Sequence, residues 1–449
     1  MGSIDVLLIN LPTTSWYKEQ FAKNVSMPPL GLLYIGTVLK QSGYDVEVKD
    51  LMVETFTKDD FYKMLKDMKP KIIGLSTYNE SWKAQKLLSN IIREVLPNSI
   101  IVAGGAFASF CYEDILNHTP TDYILRGEGD YSFLKLVDSI LGKAEGCIEN
   151  IGGIVLRRQD GTLYVNDMPD RITNLDLLPF PDRDLIDRSQ YLVPFTISTA
   201  RGCPGDCIFC SSRSFWGRGV SLRSSKSIFE EVMYLYNKYQ MDIFYISDDT
   251  FTASPKRVKE FCNMLKETKI SFFWGCESRA DVITEELMNT LFEAGCRKLQ
   301  IGLESADNDI LNKLKKKVTI EQIENGISIA EKYGMHVSAS FIVGHAFDTH
   351  ETIQKTLNFA GYIQKKYGAY VMGSVNTPFP GTEQYENAEK LGIEILTDDW
   401  DNFRLNCPII NTENITREEL RNYYEAVLDL MSHNNTTDEI IKNRKEEAV

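Results

Sequence analysis

Three cysteines, Cys203, Cys207 and Cys210, lie within eight residues of the segment STARGCPGDCIFCSS, spaced C-x3-C-x2-C. Thiolates are soft ligands, and close runs of them suit iron–sulfur clusters or zinc. Either group ordinarily takes a fourth protein ligand, whereas the local count here stops at three. A cubane held by three cysteines leaves one iron open to a substrate or cofactor, which turns an electron-transfer group into a catalytic one. A zinc site closed by a distant His or Cys is the alternative, because structural zinc is four-coordinate. A chance cluster of inert, buried thiols is the third reading.

The elements that must position this loop follow a regular rhythm. Strands are expected at 196–199, 242–247, 271–277, 298–302, 336–343 and 370–377, with helices at 224–239, 255–267, 284–294, 319–333 and 351–365 between them. Six βα units in succession imply a parallel, barrel-like sheet over 195–385 with its site at the C-terminal strand ends. Polar residues recur at those ends: Ser247, Asp248 and Asp249, then Arg279, then Glu304 and Ser305, then His345 after Val343 and Gly344. Taken singly, Asp248 or Asp249 caps a turn, Ser305 caps a helix and Arg279 is a surface charge. Their shared placement argues for one site.

The preceding stretch, 1–145, alternates in the same way. Strands are expected at 6–10, 44–48, 71–76, 99–104 and 122–125, with helices at 29–40, 83–94 and from 127 to 141. This pattern predicts a doubly wound parallel sheet, whose ligands bind beyond the carboxyl ends of the strands. The loops there hold Asn10 and 11–27; Ser76, Thr77, Tyr78 and Glu80; Gly104, Gly105 and Ala106; and Gly127, Glu128, Gly129 and Asp130. Glycines permit close backbone approach to a ligand, though each alone reads equally as a turn residue. The connector, 146–194, holds a hairpin signal at Asp160-Gly161 and a stiff Leu-Pro-Phe-Pro-Asp-Arg segment ending at Arg183. From 382 onward a helix is expected at 382–391, an irregular stretch at 400–408, a helix at 417–431 and a polar tail from 433. The region 386–449 as a whole reads as a small helical cover.

The cysteine triplet, with the aromatic Phe209 before its last member, resembles the signature of the radical S-adenosylmethionine (SAM) enzymes. The first 145 residues resemble the Rossmann-like cobalamin-binding domain that precedes the barrel in one subfamily. That resemblance implies a three-cysteine [4Fe–4S] cluster whose open iron chelates SAM, and reductive cleavage of SAM to a deoxyadenosyl radical. It implies Ser247, Asp248 and Asp249 near the SAM amino group, Arg279 on the carboxylate, Glu304 and Ser305 near the ribose, and Val343 beside the adenine. It further implies cobalamin over Asn10, Ser76–Tyr78, Gly104–Ala106 and Gly127–Gly129, and methyl transfer to a small-molecule, lipid or peptide substrate. The chain departs from the pattern in three ways. It lacks the D-x-H-x-x-G motif of cobalt-ligating domains, it runs Gly104-Gly-Ala-Phe-Ala-Ser where many relatives have a His after the glycines, and it carries Gly344-His-Ala-Phe-Asp-Thr349 where the family often has G-x-P-G-E-T. The last departure puts His345 near the site, either as a substrate-side acid or base or as a solvent-facing loop side chain.

Composition narrows the classes. The chain has 449 residues, 43% of them hydrophobic and 25% charged, which suits a multidomain globular protein. A net charge of −14 argues against nucleic acid and anionic membrane surfaces as partners. No apolar run reaches the roughly 20 residues of a membrane span. With strand signal already at 5–10 no signal peptide is expected, and six scattered cysteines fit small core residues in an expected reducing cytoplasm. A reducing partner such as flavodoxin or ferredoxin is expected. The competing readings are a radical SAM enzyme that rearranges, cyclises or couples without methylating, a methylthiotransferase, and a non-catalytic iron–sulfur or corrinoid binding protein. The last has no use for the polar residues around the barrel.

Overall fold

Short apolar runs bounded by Gly, Asp or Ser become strands wherever both faces of the sheet are covered. In the computed structural model, which describes residues 3–13, 27–53, 57–144 and 146–434, these runs build two units. One comprises Met1–Gly202, Ser211–Arg223 and Asp399–Phe403; the other comprises Cys203–Cys210, Ser224–Asp398 and Arg404–Val449.

The first unit carries β1 (Val6–Asn10), β2 (Val46–Asp50), β3 (Ile72–Ser76), β4 (Ile100–Gly104), β5 (Tyr123–Leu125), β6 (Ile154–Arg157) and β7 (Leu163–Val165). They lie in the order β2-β1-β3-β4-β5-β6-β7. The first five are mutually parallel, and β6 and β7 continue the edge antiparallel. The hairpin expected in the connector is therefore part of this sheet. Val6, Leu8, Val48 and Val102 pack with Phe133 and Leu136 on one face. Leu7, Ile9 and Ile101 pack with Phe61 and Leu88 on the other. The sequence reading leaves 51–70 unassigned; the structure places the helix Lys58–Met68 there, started by a reciprocal capping box between Thr57 and Asp60. Of the loop 11–27, residues 14–26 lie outside the described residues.

The second unit holds five parallel strands in the order β12-β11-β10-β9-β8: β8 (Ile243–Ile246), β9 (Phe273–Ser278), β10 (Cys296–Glu304), β11 (His336–Val343) and β12 (Tyr370–Val375). Thr196–Ile197, where the rhythm predicts the opening strand, is a two-residue strand that belongs to the first unit. Register separates the two faces of these five strands, since residues opposite one another in a parallel pair point the same way. Phe244 lies opposite Trp274, and Ile246 opposite Cys276, which continues to Leu299 and Val337. All are buried, and Phe261 of the helix Pro255–Glu267 packs on Trp274. The opposite face runs Tyr245–Gly275–Lys298–His336, then Glu277–Gln300–Ser338–Tyr370, then Gly302–Ser340–Met372. One side of the sheet is an apolar core and the other is polar.

The expected helix at 382–391 is broken into Glu383–Glu386 and the single turn Glu389–Leu391. The final helix, Arg417–Ser432, starts with a capping box between Thr416 and Glu419. The tail from 435 onward lies outside the described residues. Among the described residues no helix is long and apolar enough to cross a membrane.

Candidate functional site

The Cys203–Cys210 loop is anchored through its backbone and its non-sulfur side chains. Ile208 N–H donates to the Leu314 carbonyl at 3.2 Å, and Gln384 N–H donates to the Ile208 carbonyl at 2.9 Å. Ile208 packs on Ile310 and Leu314, with Phe209 and Phe347 against them. Lys317 pairs with Asp206 at 3.0 Å. No cysteine is joined in a disulfide, and Cys203 and Cys207 are half-buried while Cys210 is exposed. Gly205 N–H donates to Cys203 Sγ at 3.4 Å, and Thr250 Oγ1 lies 3.5 Å from the same sulfur. A methyl group on Gly205 would stand 3.5 Å from Cys203 Sγ, 3.8 Å from Cys207 Sγ and 3.5 Å from Arg279 Nη1. The two thiols and the guanidinium thus surround one glycine.

Two cations serve this loop, and sequence reasoning found only one. Arg279 donates from Nε and Nη2 to the Asp281 carboxylate at 3.0 and 3.1 Å, and from Nη2 to the Lys316 carbonyl at 3.0 Å. Those bonds orient the side chain and leave Nη1 on the cysteine side. Lys316 is the missed one. It is 9% exposed, and its ammonium sits 2.8 Å from the carboxylate of Glu304, itself 8% exposed. Three residues adopt left-handed backbone to make this pair: Glu304 at φ +61°, and Lys315 and Lys317 at +59° and +56° on either side of Lys316. Such conformations cost about 1–3 kcal/mol each in non-glycine residues and persist where surrounding structure imposes them. The inversions turn Lys316 inward, while Lys315 and Lys317 face outward to Glu383 and Asp206. Burial pushes the Cys207 thiol up, and Lys316 and Arg279 act against that by favouring its thiolate.

The other strand-end residues divide by what already holds them. Asp248 is buried and turned toward Arg257, 3.8 Å away, while Ser247 and Asp249 are exposed. Ser305 is fully buried, near Thr356 Oγ1 at 3.5 Å and accepting from Asp307 N–H at 3.3 Å, so its hydroxyl is spent inside the protein. Val343 is buried on the apolar face, and its carbonyl accepts from Asn376 N–H at 2.9 Å.

Glu277, on the polar face of β9, was not anticipated. Burial, then Asp249 and Asp248, raise its carboxyl from an ordinary 4.5 to about 7. The folded chain therefore keeps a proton between pH 4.5 and 7 that the unfolded chain releases. Stability from this group is complete below pH 4.5, falls as the pH rises to about 7, and is flat beyond. Glu277→Gln, which cannot ionise, should melt as the parent does near pH 4.5 and progressively higher than the parent toward pH 8. A melting difference independent of pH would contradict that environment.

His345 is corrected outright as a solvent-facing loop side chain: its exposure is 0%. The loop folds inward because the Asp348 carboxylate accepts the backbone N–H groups of Gly344 and His345 at 3.0 and 2.8 Å, and the Thr352 hydroxyl at 2.7 Å. Asp348 thereby shapes the turn in which the Pro-Gly of the family pattern is missing. Gly344, at φ +82°, is in left-handed backbone that disfavours a side chain, and a Cβ there would stand 2.5 Å from the tip of the Leu420 side chain, which would have to move. The imidazole lies against the Phe209 ring, centroids 5.7 Å apart. Burial lowers its proton affinity, against the opposing pull of Asp348 and Glu304.

In the first unit, Asn10 is buried with Nδ2 donating to Asp50 at 2.8 Å and Oδ1 unpaired. Asp50 also accepts from the Tyr191 hydroxyl at 2.8 Å. Ser76 ends β3 half-buried, and Tyr78 beyond it is half-exposed. Thr77 is held within the protein, its hydroxyl donating to the Gly104 carbonyl at 2.8 Å and accepting from Ala108 N–H at 3.0 Å. A Cβ on Gly104 would meet only the Leu125 carbonyl, at 3.5 Å, whereas Gly105 at φ +97° closes on Thr77 and leads into the short helix with Ala106. Gly127 is left-handed at φ +72° and precedes the helix Gly129–Ile140. Glu128 is engaged: with Asp130 it holds Arg201, at 2.7 Å from each carboxylate, and it also accepts Ile172 N–H at 2.7 Å.

These arrangements fit the groups the resemblance implies. Cys203 and Cys207, with Arg279 and Lys316 beside them, suit a cluster of soft, anionic ligation. Among the described residues no three His, Cys, Asp or Glu side chains are gathered as a single metal ion requires. At the strand ends of the first unit, the open side of Gly104 and the unpaired Asn10 oxygen suit a large ligand approaching the backbone.

Comparison with known proteins agrees. Residues 197–360 match the radical SAM superfamily, and residues 24–137 match the B12 binding domain. The chain is 30% identical over 427 residues to the uncharacterized methyltransferase PH0819 of Pyrococcus horikoshii, covering 94% of this chain and 90% of that one. It is 29% identical over 405 residues to the anaerobic magnesium-protoporphyrin IX monomethyl ester cyclase of Rubrivivax gelatinosus, covering 88% and 71%. In fold it is similar to the cobalamin-dependent S-adenosylmethionine radical enzyme OxsB, with a TM-score of 0.76 at 19% identity over 94% of this chain and 66% of OxsB. The chain therefore belongs to the cobalamin-binding radical SAM methyltransferase family, with a [4Fe–4S] cluster, SAM and cobalamin as its cofactors.

Proposed function

We propose that this enzyme methylates an unactivated carbon of a small polar substrate, drawing electrons from a carrier such as flavodoxin or ferredoxin. The observation that carries the reading is the Cys203–Cys210 loop, with Arg279 and Lys316 beside its Cys207 thiol, in a chain 30% identical over nearly its full length to the uncharacterized methyltransferase PH0819. When bound, the cluster and SAM supply hydrogen abstraction from carbon, and cobalamin supplies the methyl group. Cys203, Cys207 and Cys210 hold the cluster. Arg279 Nη1, with its other nitrogens tied to Asp281 and Lys316, is placed for the SAM carboxylate. Exposed Asp249 and Ser247 are placed for its ammonium group, and Glu304 is oriented by Lys316. Asn10, Ser76, Tyr78 and Gly104 line the approach for cobalamin. The polar row Glu277–Gln300–Ser338 favours a hydrogen-bonding substrate over a lipid, because a hydrocarbon would leave those groups unpaired.

A second reading is cyclisation or coupling without methyl transfer, which the similarity to the cyclase supports. Anaerobic reconstitution with SAM and reductant separates them. Methylation yields deoxyadenosine together with S-adenosylhomocysteine. Deoxyadenosine without S-adenosylhomocysteine would favour the second reading, and no deoxyadenosine would defeat both.

A further inference from the structure

The ammonium of Lys316 is buried at a cost that packing does not explain. Taking an ammonium and a carboxylate out of water is harder than burying apolar side chains of similar size. Left-handed backbone at Glu304, Lys315 and Lys317 adds strain to the same pair. Gly302, in β10, needs no left-handed backbone of its own. A Cβ there would stand 2.2 Å from Glu304 Oε1 and 2.6 Å from Lys316 Nζ, so glycine keeps the place of the pair open.

What the pair adjoins is the cysteine loop. The Leu314 carbonyl accepts from Ile208 N–H at 3.2 Å, and the Lys315 carbonyl lies 4.0 Å from Cys207 Sγ. The Lys316 carbonyl accepts from Arg279 Nη2 at 3.0 Å, and the Lys317 ammonium holds Asp206. Residues 314 to 317 thus each touch the loop or its arginine, and of their three ammonium groups only that of Lys316 turns inward. Of the pair, the cation acts on Cys207 more strongly than the carboxylate. We propose that Lys316 tunes the reduction potential of the [4Fe–4S] cluster, its fixed positive charge favouring the reduced form while Glu304 holds it in place. The inference rests on that cluster being held by Cys203, Cys207 and Cys210. Reduction takes one electron from a low-potential donor and adds one negative charge to a group already ligated by thiolates. At the effective dielectric of about 20 that protein sites show, a unit charge roughly 10 Å away shifts such an equilibrium about tenfold. Lys316 is then a positioning residue, acting through the cluster and not on the substrate.

The test uses the full chain with its cluster reconstituted anaerobically and no SAM present, because Glu304 is placed beside SAM. Titration with dithionite, followed by electron paramagnetic resonance of the reduced cluster, gives the midpoint potential. Glu304→Gln is the background: it removes the acid that a lost lysine would strand, and its amide oxygen still accepts from the ammonium. Adding Lys316→Met to it should lower the midpoint by about 59 mV, a tenfold change in the one-electron equilibrium. Lys316→Arg, which keeps the charge, should stay within about twofold of the parent in that equilibrium. Iron bound per chain should be unchanged; if the Met variant does not hold iron, Lys316→Gln in the same background decides. Equal midpoints with and without the lysine, or an Arg variant displaced as far as the Met variant, would overturn the inference and leave the cluster assignment standing. A parent with iron but no reducible cluster would overturn the cluster assignment and this inference with it.

Discussion

Exchange of Cys203, Cys207 or Cys210 for alanine is expected to abolish SAM cleavage while leaving the protein folded. The separation of the two effects follows from how the loop is held. Its anchors are the Ile208 and Gln384 backbone bonds, the Lys317–Asp206 pair, and the packing of Ile208 and Phe209 against Ile310 and Leu314. None of these passes through a sulfur. Iron bound per chain should drop, deoxyadenosine should fall to background, and the melting temperature of the iron-free protein should match that of the iron-free parent. Cys407→Ala, at a half-buried thiol away from the triplet in sequence, is the control and should keep its iron. Retained turnover in any one of the three alanine variants, or a tetrahedral zinc in the anaerobically purified parent, would refute the cluster assignment.

Arg201→Met is expected to destabilise the first unit by about 3–5 kcal/mol, the usual cost of removing one partner from a buried ion pair. Arg201 Nη1 donates to Glu128 and Asp130 at 2.7 Å each, and Nη2 to Asp130 at 2.9 Å. The guanidinium also lies over the rings of Tyr34 and Trp216, 5.5 and 5.4 Å from their centroids. All three charged side chains are at most 8% exposed, so the methionine leaves two carboxylates facing each other with no cation. The triple variant Arg201→Met, Glu128→Gln, Asp130→Asn removes the stranded charges and should regain most of the loss in denaturant titration. A single variant within about 0.5 kcal/mol of the parent would place the triad among surface pairs of little consequence.

What could be read from the sequence follows the range of the interaction involved. The cysteine triplet and the strands Val6–Asn10 and His336–Val343 are local patterns, and they lie where the residues say. Glu128 was legible as a polar residue in a ligand loop, but the partner that occupies it lies 73 residues away in a different element. Lys316 sits in a run of three lysines that reads as a solvated surface. Its inward turn depends on left-handed backbone at Lys315 and Lys317, and lysine side chains carry no preference that announces it. The burial of His345 depends on Asp348 closing the turn and on Phe209 covering the ring, a local hydrogen bond and a distant contact acting together. Glu277 was unremarkable as one acid among many until the strand register placed it in the polar row and near Asp248 and Asp249.

The two-sided sheet of the second unit separates the demands on neighbouring residues. Along β9 and β10, positions such as Cys276 and Leu299 are buried in the apolar core, while Glu277 and Gln300 beside them lie on the polar face and are free of that packing. A lineage can then exchange one chemical clientele for another by rewriting every other letter of a strand, with the intervening letters preserving the architecture. Divergence in this family should accordingly be striped along each strand.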